Sequence, residues 1–359
     1  MGLALVRNLG APGLLRSEQD TDDFEQEIVD QFALAMAASG LSDGHIAASR
    51  SIIVEFARSL TGRVWTATTR ETDRYLIGLR RDGQARTTIA NKAACIARFY
   101  DFVQVRYQGD IHRLTGYVVE QPIDEFNRPS GAGYGVARVP PADAEVDQLF
   151  SGWNASVVAA RKYLPAARDY FAASLWRRLG LRISETVMLD IRDWRPDLGL
   201  HGKLHVRHGK GSRGRGPKPR LAPAINSADV LIDWWLAEVR PRYGDDWQDP
   251  EAPLLPSERI SRTGRCNRAG AESLRTGLAA ATVRHLPTWE HRLTPHVLRH
   301  YCASSLYGRG VDLKAVQELL GHEWLSTTTR YVHVRSDAIE RAWTDANERV
   351  AARLTPESR

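Results

Sequence analysis

Three runs decide the reading: Thr294-Pro295-His296-Val297-Leu298-Arg299-His300, then Asp312-Leu313-Lys314-Ala315-Val316-Gln317-Glu318-Leu319-Leu320-Gly321-His322, then Ser326-Thr327-Thr328-Thr329-Arg330-Tyr331-Val332-His333. Thr294 is a good helix N-cap, and Pro295 suits the first helical position, where its missing N–H costs nothing. His296 and Arg299, three residues apart, share one helix face. Alone, such a pair is an ordinary surface feature. In the second run Asp312 can cap, and Leu313, Val316, Leu319 and Leu320 form a stripe to bury. Gly321 suits the left-handed residue that ends a helix, so His322 emerges just past that end, where a histidine commonly caps. The third run can form a short helix bearing Tyr331, and a lone tyrosine usually belongs to core or surface.

Upstream, Gly180-Leu181-Arg182-Ile183-Ser184-Glu185 places Arg182 at a junction between helices, with Glu185 in reach to orient it. Residues 203 to 220 contain no acidic residue. Within them, Leu204-His205-Val206 reads as a strand, a Gly-rich basic turn follows, and Arg220-Leu221-Ala222-Pro223 reads as the return strand of a hairpin with Lys210 at its tip. Taken together, the residues have a chemical logic. Arg182 and Arg299 can grip one phosphodiester, their planar forks matching the non-bridging oxygens on which charge builds in a pentacoordinate transition state. Histidines can donate hydrogen bonds or move protons, a lysine can protonate a leaving oxygen, and a tyrosine can attack phosphorus. With the positive charge supplied by side chains, no metal or other cofactor is expected. No Asp/Glu cluster suited to Mg²⁺ stands out, and Gly209-Lys210 is followed by Gly211 rather than the Ser or Thr of a Walker A loop.

The chain has 359 residues, 43% of them hydrophobic and 26% charged, which is ordinary globular composition and suggests two domains. The net charge of +6 is modest, so its placement matters more than its size. Cys95, Cys266 and Cys302 form no CxxC pair, which excludes a zinc signature or disulfide framework and fits a reduced, cytoplasmic setting. No apolar run approaches the roughly 18 residues of a membrane span. Residues 1–24 read as an irregular lead-in, and residues 25 to about 110 as helices of a domain that spans 25–125. The first helix has Ile28, Phe32, Leu34 and Met36 at its apolar positions. Ser42 can cap a second helix that buries Ile46, Ile53, Val54 and Phe56, and Thr69 a third with Tyr75, Leu76 and Leu79. The fourth, about 87–105, carries Ile89, Ile96, Phe99, Tyr100 and Val103, with Arg86, Lys92 and Arg98 on its other sides. This unit is either a packing domain with a solvated basic face or a DNA clamp. The Gly/Pro-rich stretch 126–142 is the linker, and a second domain follows over 143–345. Helical patterning returns at Ala228 to Val239 and dominates the remainder. A tail, 346–359, continues an apolar stripe of Ile339, Trp343, Ala346, Val350 and Leu354 that can dock on its own domain or on another protomer.

His-x-x-Arg-His, then Leu-Leu-Gly-His, then Thr-x-x-Tyr, in this order and spacing, resembles the second box of the tyrosine recombinase (phage integrase) family. The resemblance covers roughly residues 25 to 345. It implies a mostly α fold with a small β-hairpin or sheet: a two-domain DNA clamp made of a helical, SAM-like core-binding domain and an α+β catalytic domain. Arg182 and Arg299 resemble the phosphate-gripping arginines, Lys210 the hairpin lysine that protonates the leaving 5′ oxygen, and His296 the general base or phosphate contact. His322 is similar to the histidine that contacts the scissile phosphate, and Tyr331 to the nucleophile that forms a 3′-phosphotyrosine. Arg213, Arg215 and Lys218 share the hairpin with Lys210 as alternative cations. Arg86, Lys92, Arg98, Arg213 and Arg215 are the expected DNA contacts, and His300 and His333 are expected to be structural. The short lead-in leans towards a Xer-like or transposon-encoded enzyme of a bacterium, phage or mobile element. The implied partners are double-stranded DNA with an inverted-repeat core site and further copies of the chain, four protomers on two sites, with accessory proteins in some systems. Strands would exchange through a Holliday junction. Two other readings share these residues: a type IB topoisomerase-like nicking-closing enzyme, and a DNA-binding relative that has lost cleavage. Because Arg182, Arg299 and Lys210 supply the charge, cleavage is expected to persist in EDTA and without nucleotide. Loss of cleavage in EDTA that Mg²⁺ restores would contradict this.

Overall fold

The computed structural model describes residue 15 and residues 17–129, 139–209 and 218–321. Lys210, Arg213, Arg215, His322, Tyr331, His333 and the tail lie outside the described residues. The chain divides into two compact units, one holding the described residues up to 129 and the other those from 139 onward. Among the described residues, no helix is long and apolar enough to cross a membrane.

The first unit is helical: α1 (Glu18–Ala38), α2 (Asp43–Ser59), α3 (Thr69–Arg81), α4 (Arg86–Arg106) and α5 (Gln108–Thr115). α1 begins inside the expected lead-in. Ser17 Oγ accepts from the Asp20 amide at 3.0 Å while Asp20 accepts from the Ser17 amide at 3.1 Å, a reciprocal cap that starts the helix before its first buried residue, Phe24. Leu34, expected in the core, is 60% exposed. Phe24, Ile28, Phe32 and Met36, four apart, hold the buried face, and Leu34, two positions past Phe32, falls on the opposite side. α3 is capped by Thr68 rather than Thr69, because Thr68 has the extended backbone of a cap and Glu71 completes its capping box. Ser42 occupies the cap position of α2 without a side-chain bond. Phe32 meets Phe99 edge-on at 5.3 Å, and the buried Tyr100 hydroxyl donates to the Val64 carbonyl at 2.6 Å.

The second unit opens with α6 (Asp143–Val158) and α7 (Tyr163–Leu179). α7 is its axis: Ala167, Phe171, Ala172, Ala173, Leu175, Trp176 and Leu179 are all buried, so apolar side chains leave it in nearly every direction. α8 (Ile183–Val187) follows, then a three-stranded antiparallel sheet of β1 (Trp194–Arg195), β2 (Lys203–Val206) and β3 (Arg220–Pro223), in that spatial order. The expected hairpin is β2–β3, with Leu204 opposite Ala222 and Val206 opposite Arg220. Leu204 and Val206 are buried and Lys203 and His205 are half-buried, the alternation of a one-sided sheet. α9 (Ala228–Trp234) passes into a π-helical turn over Trp235–Val239. A second hairpin, β4 (Pro256–Ile260) with β5 (Cys266–Arg268), interrupts the region expected to be helical. Its strands are short and largely exposed, too brief for a periodic signal to emerge. α10 (Ala271–His285), α11 (Pro295–Gly308) and α12 (Leu313–Leu320) complete the unit. The fold is mostly helical with small sheets.

At the centre of this core the Phe171 ring stacks on the Trp235 indole, centroids 4.6 Å apart and planes 7° from parallel. Phe171→Ala is expected to cost about 3–5 kcal/mol, because it leaves a cavity between α7 and the π-helical turn. Urea unfolding followed by circular dichroism measures this, and a loss below about 1 kcal/mol would mean that the site collapses to fill the space.

Candidate active site

α7 ends at Leu179, and Gly180 closes it in the left-handed region at φ +62°. A Cβ at Gly180 would also run into Leu320 Cδ2, so the reversal and the close approach both favour glycine. The chain then passes through buried Leu181 to Arg182, the N-cap of α8. The Arg182 amide donates to Glu185 Oε2 at 2.9 Å and its Nη1 to Oε1 at 2.7 Å. The orienting role expected of Glu185 is therefore present in the geometry.

Glu185 does more than orient Arg182. Its side chain is wholly buried, and Arg220 from β3 forks onto it, Nη1 to Oε1 at 2.9 Å and Nη2 to Oε2 at 2.8 Å. Arg299 Nη1 stands 4.0 Å from Oε2. Burial pushes the Glu185 carboxyl upward, but the Arg220 hydrogen bonds and the charges of Arg220 and Arg182 outweigh it and hold the group at about 2. Arg182 and Arg299, 117 residues apart in the chain, are thus brought to one carboxylate together with a third guanidinium.

The far side of this cluster is the end of α12. Arg220 Nε donates to the Leu319 carbonyl at 3.0 Å, and Arg299 donates to the carbonyls of Leu320, at 2.7 Å, and Gly180. The last carbonyls of a helix have no partner within it and carry its negative dipole end, so guanidiniums are favoured there. Asp312 caps the other end of α12 through the Lys314 and Ala315 amides, and Gly321 terminates it at φ +66°. His322 follows Gly321 directly in the sequence.

α11 brings Arg299 and His296. Thr294 Oγ1 accepts from the Val297 amide at 3.2 Å and Pro295 opens the helix, as the sequence implied. The two side chains differ in setting: Arg299 is buried, whereas His296 is exposed with its ring edge-on to His300, centroids 4.7 Å apart. Tyr301, on the same helix, donates its hydroxyl to Asp143 at 2.7 Å. Burial and that bond push it up to about 12, which leaves it a poor nucleophile. Cys302 is pushed up to about 12 by burial and stays a thiol.

The basic run 203–220 is partly spent inside the fold. Arg207 is bonded to Asp193, with Nε at 2.7 Å and Nη2 at 3.0 Å, and also to Asp190, and Arg220 serves Glu185. The expected DNA contacts on α4 differ among themselves. Arg86 and Arg98 are exposed, but Lys92 Nζ lies 2.6 and 2.8 Å from the two oxygens of Glu55 and is committed to that pair. No motif in the sequence marks Arg220 as a member of this cluster. The available signal was the strand period, which puts Arg220 on the same face as buried Ala222, an unusual place for an arginine.

Residues 154–337 match the phage integrase family. Tyrosine recombinase XerC of Herpetosiphon aurantiacus is 29% identical over 321 residues, 87% of this chain and 92% of that protein. Among solved structures, the Tn1549 transposon integrase in complex with circular intermediate DNA is similar with a TM-score of 0.62 at 17% identity, covering 89% of this chain and 99% of that one. A lambda integrase dimer bound to a core site gives 0.58 at 17% identity, covering 87% and 96%. The fold and the family match agree on a class, the tyrosine recombinases. The chain belongs to the phage integrase family.

Replacing Glu185 should uncover the cluster. Glu185→Gln is expected to destabilise the protein by about 3–5 kcal/mol at neutral pH, because it leaves buried guanidiniums without their carboxylate. The folded value, about 2, lies below the ordinary glutamate value, so the charge contributes stability above about pH 4.3 and loses it as pH falls towards the folded value. The gap between wild type and Glu185→Gln in urea unfolding should therefore stay constant above about pH 5 and narrow below it. A gap independent of pH down to about 2.5 would refute the ionised state.

Proposed function

We propose that this chain is a site-specific DNA recombinase that cuts and rejoins double-stranded DNA through a 3′-phosphotyrosyl bond at Tyr331. The observation that carries the reading is the set of three guanidiniums, Arg182, Arg220 and Arg299, around the single carboxylate of Glu185. Positive charge in excess, held rigidly and partly dehydrated, favours a phosphate whose charge grows during reaction. Arg182 is the most exposed of the three and the best placed to meet a ligand from solvent.

In this reading Arg182 and Arg299 hold the non-bridging oxygens of the scissile phosphate, and His296 and His322 contact it or take the tyrosyl proton. The Tyr331 oxygen attacks phosphorus, the P–O5′ bond breaks, and Lys210 gives its proton to the departing 5′ oxygen. The ester keeps the bond energy. A 5′ hydroxyl from the partner strand then attacks the phosphotyrosine and frees Tyr331, so no nucleotide is consumed. Recombination between two inverted-repeat core sites, four protomers in all, through a Holliday junction and in a cytoplasmic setting, completes the proposal. The matched relatives and DNA-bound structures support it.

Tyr331→Phe is expected to abolish the covalent adduct on a nicked suicide substrate while binding of the site in a gel shift stays nearly intact. An adduct formed by the Phe variant would place the nucleophile elsewhere.

A further inference from the structure

Arg220 stands where three parts of the site meet. Two of its nitrogens serve Glu185, at 2.9 and 2.8 Å, and the third serves the Leu319 carbonyl, at 3.0 Å. Its side chain also lies against the end of α12, where a Cβ on Gly321 would come within 2.8 Å of Arg220 Cδ. Each contact leads to a residue of the proposed reaction. Glu185 aims Arg182, and Gly321 is joined directly to His322. Arg220 itself belongs to the return strand of the hairpin, two residues after Lys218, whose amide donates to the Gly209 carbonyl at 3.0 Å. Gly209 immediately precedes Lys210.

One planar fork therefore joins the hairpin stem, the carboxylate behind Arg182 and the last turn of α12. The guanidinium fixes all three directions at once, which an ammonium cannot do. We propose that Arg220 is a positioning residue for strand cleavage, which sets the hairpin carrying Lys210 in register with Arg182 and with the chain entering His322. The proposal rests on the recombinase reading given above.

The test compares Arg220→Lys and Arg220→Ala in the full chain. Single-turnover cleavage is measured on two suicide substrates, one with oxygen and one with sulfur at the 5′ bridging position, with Lys210→Ala in parallel. Circular dichroism and gel shifts report folding and binding, and Arg220→Lys keeps the charge should the Ala variant unfold. Folded, DNA-bound Arg220→Lys is expected to cleave the oxygen substrate about 100-fold more slowly, the cost of a misplacement near 1 Å. Sulfur leaves without a proton, so the variant should regain about 10-fold on the sulfur substrate, as Lys210→Ala also should. A merely structural role would lower both rates equally, in proportion to the unfolded fraction. Wild-type cleavage by Arg220→Lys overturns the proposal. So does recovery on sulfur by Lys210→Ala but not by the Arg220 variants, an outcome that leaves the recombinase reading intact. Failure of Lys210→Ala to recover removes the general acid from that reading and the proposal with it.

Discussion

The second unit is arranged around one buried carboxylate. Glu185 is wholly removed from water, a state that an isolated glutamate could reach only by protonation. Arg220 and Arg182 make the burial possible, and Glu185 in turn makes it possible to bury cations. The dependence runs outward from this point. The left-handed turn at Gly180 delivers Arg182, the short helix α8 returns Glu185 to it, β3 supplies Arg220, and α11 supplies Arg299. The end of α12 closes the ring by accepting from two of the arginines. Remove the carboxylate and the guanidiniums repel one another; remove the guanidiniums and the carboxylate protonates.

Much of this was legible in the sequence because the signals are local. The caps at Thr294 and Asp312, the glycine stop at Gly321 and the i, i+3 relation of Arg182 to Glu185 each depend on residues a few positions apart, the β2–β3 hairpin joins strands adjacent in the chain, and each has the geometry expected of it. What stayed hidden depends on distance. Nothing near Arg220 announces that its partners are Glu185 and the Leu319 carbonyl, 35 and 99 residues away. The strand period hints at burial, but only tertiary packing names the partner. The β4–β5 hairpin is hidden for a related reason: strands of five and three residues are too short to show a period against a helical background.

Charge was the least readable property. The stretch from 203 to 220 looks uniformly available to a polyanion, yet Arg207 and Arg220 are bound to acids from other segments. Lys92 likewise counts as a surface cation in the sequence and as half of an ion pair with Glu55 in the fold. An arginine whose nitrogens are all bound within the fold has none left for phosphate, and which arginines are so bound is decided by acids whose positions composition does not reveal.

The helix α7 has a consequence of another kind. Its middle turns are covered by α6, α10, α11 and the π-helical turn, with Phe171, Ala172, Ala173, Leu175 and Trp176 fully enclosed. An amide there meets solvent only when its neighbours separate, so local fraying offers it no route. In amide hydrogen exchange these protons should be the slowest of the unit, and their opening free energy equals the stability of the whole. The helix that ends at Gly180 thus serves as an internal gauge: its exchange reports the stability of the unit that carries Arg182, with no label attached to the site.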